Sequence, residues 1–505
     1  MLKQLVISTS ALVLASFPAR FYRLPRFVVT ALIVLSPILN LGCSEPPDRV
    51  PFTERTLDVA PVAYDLDFEV DYDEQQIRGT GQLTVRNTAD HPVNQIPLLL
   101  YRMMKVTSLT TLDGSPLSFT QQIFPFDDWE QLHVNYVEVE TASLGPGEEE
   151  TLSIAWEGWL HGYTEAMRYV HDHINPEYTA VREETKPYPV VGYPSWRATK
   201  LAGLPDFDVE LRVTVPDSLV VAYGGELQGI TRADGKATYH YRNSRPAWRI
   251  DIAIAPYEIM ERDGLKLFHF AEDRVRAETV AGGFLRAMDQ YTEWFGPLHG
   301  FGGYAIIEVP TGYGSQADVN NILLQASAFQ NTDELTQLYH EGSHLWNVEL
   351  TDRPSPRWDE GMAMFLQVLL VDVFAGDESL SAVEGLAGRM RSRLSRQFEN
   401  EPRLGEIPPV EYGKEDVTDL SYRVGMLMFG VLHQLIGQEG LNQLVGGFYQ
   451  EHHGGGASTA DFVALANSVA PLDLDRFFQD WLYGTGYTRF LDGDLTLAQI
   501  ADSYR

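Results

Sequence analysis

His340-Glu341-Gly342-Ser343-His344, followed shortly by Trp358-Asp359-Glu360-Gly361-Met362-Ala363, is the stretch that decides how the second half of the chain reads. On a helix, four residues make about one turn, so both imidazoles leave the same face. Two such nitrogens can hold one side of a zinc tetrahedron. Glu341 stands beside such a metal without aiming at it, where it can take a proton from a zinc-bound water. A site with two histidines needs a third ligand and an open fourth position. Glu360, near the start of the next helix, is the candidate, with Asp352 and Asp359 as alternatives. One Zn2+ ion is therefore expected on His340, His344 and Glu360.

Helical spacing surrounds this stretch. It predicts helices over 278–295, 333–347 (capped by Thr332 or Asp333), 359–374, 384–398, 422–436 and 441–452. Two shorter ones are predicted over 462–469 and 474–482, and a strand over 304–309. Upstream the period changes to two. Tyr64, Leu66, Phe68, Val70 and Tyr72 alternate with four acids, and Phe207, Val209, Leu211, Val213 and Val215 repeat the pattern. The fold class read from these periods is α+β and multidomain: a mostly antiparallel β domain over 56–260, then an α-rich domain over 261–490 with a small sheet. Residues 491–505 read as a tail.

The 505 residues suffice for this, with 44% hydrophobic and 21% charged residues, as in ordinary globular proteins. A net charge of −32 repels a phosphate backbone, so no nucleic-acid partner is expected. Residues 1–43 stand apart, with Lys3, Arg20, Arg23 and Arg26, no acid, and two apolar runs ending at Cys43. This pattern predicts an export signal. Cys43 resembles the lipidated cysteine of bacterial lipoproteins; the alternative is an uncleaved membrane anchor. Residues 44–55 read as a Pro-bearing linker. The expected location is the bacterial cell envelope, on the periplasmic side of a membrane (by the Ser44 after the cysteine, the outer one).

Residues 358–363 look like the W-x-N-E-G-F-A segment of the M1 metallopeptidases, the gluzincin aminopeptidases. Ser421-Tyr422-Arg423-Val424-Gly425 resembles that family's Tyr-x-x-Gly segment, whose tyrosine donates to the oxyanion. The likeness runs from about residue 56 to 490. It implies an N-terminal saddle-like β domain, a thermolysin-like zinc catalytic domain, and Tyr422 as a catalytic residue beside Glu341. No His follows at the spacing of the three-histidine zinc proteases, since Asn347 and Leu350 occupy those places. The family's G-x-M-E-N motif, whose Glu holds the substrate amine, has no clear counterpart in residues 312–321. Gly314, Gln316 and Asp318 are the substrate-binding candidates there. About 80 residues follow Tyr422, too few for the large C-terminal helical domain common in the family.

The resemblance implies a zinc metallopeptidase acting on a peptide or protein substrate. The competing expectation is an envelope protein that keeps the zinc fold as a binding or assembly module without turnover. His171-Asp172-His173 and His452-His453 read as surface features and His433 as a core histidine.

Overall fold

The computed structural model describes residues 50–505, apart from 201–204, 301–302, 319 and 332–334. The signal, lipidation and anchor readings at 1–43, most of the linker and the Thr332 or Asp333 cap lie outside the described residues. No helix among those described is long and apolar enough to cross a membrane.

The alternating stretches form strands that bury one face. In Val59–Asp71 the side chains of Tyr64, Leu66, Phe68 and Val70 are buried while the intervening acids face outward. This strand is central in a seven-stranded sheet. It pairs antiparallel with Gln76–Asn87, and parallel with Asp208–Pro216 from far along the chain. A four-stranded sheet (Phe119–Phe126, Trp129–Leu144, Val93–Tyr101, Val190–Val191) packs against it around one apolar core. A three-stranded sheet of Val220–Ala222, Ile252–Ala255 and Thr179–Val181 leads toward the second half. Phe52, at the linker's end, is buried against Phe124, Tyr136 and Tyr193.

The second half opens with a five-stranded sheet, ordered Glu258–Arg262, Leu265–His269, Tyr304–Val309, Asn321–Gln325, Gln316–Ala317. The expected boundary at 260 falls inside its first strand. Its three central strands are parallel, so a crossover is required. The Arg274–Phe295 helix supplies one. Gln316–Ala317 is one edge of this sheet and Glu258–Arg262 the other.

Helices build the rest around a second core. The motif helix is Leu335–Ser343, continued by a 3-10 turn over His344–Trp346. The glutamate helix is Trp358–Ala375. The long helix, Asp419–His452, breaks at Gly437 (φ 71°), between the two segments expected there. Residues 491–505 depart from the expected tail. Thr496 and Gln499 form a capping box, and Leu497, Ile500 and Ala501 bury themselves. Apolar spacing behind a cap is what folds this end.

Candidate active site

Three elements meet at the site. The Tyr291 hydroxyl donates to the carbonyl of Tyr339 and the Trp346 indole donates to the carbonyl of Gly296, fixing the middle of the motif helix and the turn after it to the neighbouring helix. The glutamate helix and the long helix cross at bare backbone. A Cβ on Gly361 would lie 2.3 Å from Gly425 Cα, so no side chain fits between them. The Ser421 hydroxyl donates to Pro356 O (2.6 Å), closing the same crossing. Glu360 precedes one glycine and Tyr422 lies nearly one turn before the other.

The ligand candidates converge. His340 Nε2 and His344 Nε2 are 3.2 Å apart, and Glu360 Oε2 lies 3.5 and 3.4 Å from them. Zinc bonds of about 2.0–2.1 Å at tetrahedral angles give ligand separations of about 3.3–3.4 Å. The three atoms thus fit one metal ion, and they form the one such group found among the described residues. Two nitrogens and one carboxylate oxygen also make a donor set that suits zinc.

The alternatives for the third ligand are engaged elsewhere. Asp352 Oδ2 accepts from Thr459 N and Oγ1, both at 2.7 Å. Asp359 Oδ2 accepts from the Asn347 amide (2.9 Å), which also lies 2.8 Å from His344 Nδ1. Asn347 and Asp359 therefore form a layer behind His344. Sequence spacing shows only that Asn347 is no ligand, so this role was not legible there.

Charge is concentrated here. Burial pulls the His344 imidazole down, yet the charges of Glu360, Glu341 and Asp359 lift it to about 9. Burial likewise opposes the charge on Glu360, but His344, His340 and Arg357 hold its carboxyl well below the usual range. Glu341 is raised, chiefly by burial, against the pull of the two histidines and of Arg249. The Tyr422 phenol is raised by burial and by the Glu360 charge. Its ring lies nearly parallel to that of His340, with centroids 6.3 Å apart.

The edge strand supplies the other wall. The Gln316 amide donates to Glu184 Oε1 (2.8 Å) and accepts from Arg249 Nη2 (3.1 Å), tying the strand to the β half. Gly314 has φ 75° and packs beside Tyr169. Asp318 is only 4% exposed, and its backbone is held by the Tyr304 hydroxyl and by Asn321. Among the other histidines, His171 is exposed, and Asp172 between it and His173 is buried in an ion pair with Arg182. His433 is half-buried, with Nε2 3.3 Å from Gln438.

A β domain thus leads into a helical domain, and two histidines and a glutamate from two of its segments are drawn together there. No family model and no curated protein matches the chain. Solved structures do. The M1 zinc metallopeptidase of Deinococcus radiodurans superposes with a TM-score of 0.60 at 19% identity, over 84% of this chain and 94% of that one. A mutant of that enzyme bound to the peptide Tyr-Ser-Ala gives 0.60 at 18% identity with the same coverage. A two-domain M1 enzyme mutant bound to L-tryptophan gives 0.58 at 18%, again with the same coverage. At such identities the likeness is one of fold, and the shared fold is the two-domain M1 form.

Proposed function

We propose that this chain is a zinc-dependent, aminopeptidase-like metallopeptidase, with one zinc ion held by His340, His344 and Glu360. The convergence of the two Nε2 atoms and Glu360 Oε2 carries the reading. Zinc bound there would polarise a carbonyl and lower the pKa of a water. The chain's own residues do the rest. Glu341 takes a proton from the attacking water and returns it to the leaving amine. The Tyr422 hydroxyl donates to the carbonyl oxygen as it gains charge. Gly314, Gln316 and Asp318 belong to the strand and turn along which the peptide is bound.

The experiment is a peptide-library digest with and without a chelator, beside metal analysis, on the parent and on Glu341→Gln. The parent should cut and hold zinc; the variant should hold zinc and lose hydrolysis by orders of magnitude. Undiminished activity in the variant sinks the mechanism. Zinc without cleavage of any peptide supports the binding-module alternative. The position of the cuts decides between removal of terminal residues and internal cleavage. We further propose export to the bacterial envelope with a lipid on Cys43. Labelled fatty acid should enter the full chain and not its Cys43→Ala variant.

A further inference from the structure

We propose that Arg357 is a second catalytic donor, binding the carbonyl oxygen of the scissile bond beside Tyr422 as that oxygen becomes negative. The inference rests on the peptidase reading above.

Three observations carry it. First, Arg357 sits at the start of the glutamate helix in the left-handed region (φ 55°, ψ 35°), and its side chain caps nothing. Glycine or asparagine is the inexpensive residue there. Strained non-glycine backbone of this kind clusters at functional sites. Second, the guanidinium makes one side-chain contact, from Nη2 to Glu360 Oε1. That is the oxygen of Glu360 not shared with the histidines. Among the described residues its Nε and Nη1 make no hydrogen bond or ion pair, and the side chain is 44% exposed. The group is thus anchored at one nitrogen and open at the others. Third, Arg357 and Tyr422 each lie within reach of the other's charge and of Glu360. Two donors therefore stand beside the same carboxylate, Arg357 at its Oε1 and Tyr422 along the His340 ring.

The chemistry balances without a change in Arg357. Water oxygen bonds to the carbonyl carbon while Glu341 takes its proton. The C=O π pair moves onto oxygen, where O–H and N–H donors share the charge. The pair then returns as the C–N bond breaks, and the amine leaves with the proton from Glu341. A planar cation with free N–H groups suits such an oxygen, and its preorganised charge acts more strongly on the transition state than on the neutral carbonyl.

The other role open to Arg357 is to position Glu360 alone. Arg357→Gln and Arg357→Gly separate the two, glycine being at ease at this φ. Each is compared with the parent for zinc content, for KM and kcat, and for affinity toward a peptide carrying a phosphinic anion at the scissile position. We expect full zinc content, KM within about two-fold, and a loss of about 100-fold in kcat. Phosphinic affinity should fall by a similar factor, and Arg357→Lys should recover part of both. Zinc lost from the variants, with activity restored by excess zinc, would reduce Arg357 to a positioning residue. Unchanged kcat and phosphinic affinity would remove it from the site. Failure of the peptidase reading looks different: no peptide is cut by the zinc-loaded parent, while the phosphinic binding comparison still reports on Arg357.

Discussion

Removing one oxygen atom from Tyr422 tests the part proposed for that residue in the reaction. The ring packs along His340, so Tyr422→Phe keeps the packing and loses only the donor. Zinc content should stay unchanged and kcat should fall by about 100-fold or more, the usual cost of one oxyanion donor. An unchanged kcat would exclude the hydroxyl. A second residue, away from the site, makes stability depend on pH. Glu308 is fully buried on the Tyr304–Val309 strand, and burial pushes its carboxyl up to about 9. The N–H of Phe270 favours its charged form, while Asp273 and Glu272 oppose it. The folded state therefore holds a proton that the unfolded chain releases near its ordinary value of 4.5. Between those values folding binds a proton, so this contribution falls as pH rises toward 9 and is complete below the unfolded value. Glu308→Gln removes that slope: its gain in melting temperature over the parent should be larger at pH 8 than at pH 5. An equal difference at both would mean that Glu308 is charged in the folded protein.

At the scale of elements, the Gly361–Gly425 crossing sets where Glu360 and Tyr422 stand. A Cβ on Gly425 would sit 2.7 Å from Gly361 Cα, with the backbone of the glutamate helix at Gly361 and Trp358 in the way. Gly425→Ala should therefore cost about 1–3 kcal/mol, as overpacking does, and should weaken zinc retention by moving Glu360. Gly388→Ala, on the Ser381–Asn400 helix where a Cβ meets nothing within 4 Å, is the control. It should be neutral or stabilising by up to about 1 kcal/mol. Equal melting temperatures for Gly425→Ala and parent would refute the crossing argument. The same crossing explains what was legible beforehand. Helix periods and the His340–Glu341–His344 spacing are local, and so could be read directly. The glycines in the Glu360 and Tyr422 segments were visible only as parts of a family likeness; the contact that requires them joins residues 64 positions apart. Asn347 and Arg357 were not legible as site residues, because their partners come from tertiary approach. The alternation predicted strand faces, but not the parallel pairing of Val59–Asp71 with Asp208–Pro216, which no local pattern encodes.

For the whole molecule, the three ligand candidates bridge two separate segments of the second core, and each is partly or wholly buried. Without a metal, two imidazoles and a carboxylate share that space with Glu341, Asp359 and Arg357. A zinc ion held by His340, His344 and Glu360 would offset these charges and tie the motif turn to the glutamate helix. A ligand that binds only the folded state stabilises it by RT ln(1 + [L]/Kd), about 4 kcal/mol at one thousand times Kd. Chelation of the zinc-loaded protein should therefore lower its melting temperature, and added zinc should restore it in a concentration-dependent way. Glu360→Ala should respond weakly to both, since two imidazoles alone hold zinc poorly. The β half, with its own core, meets the second half through the Gln316 bridge to Glu184 and Arg249, the Arg182 bond to Tyr313 O, and an apolar cluster in which Ala222 and Ala253 pack with Ile307 and Leu323. Its unfolding should follow that of the helical half as far as these contacts couple them. Calorimetry with and without chelator reads both points at once. A shift confined to one of two transitions would assign the metal to the helical half. No shift at all would mean that His340, His344 and Glu360 hold no ion in solution.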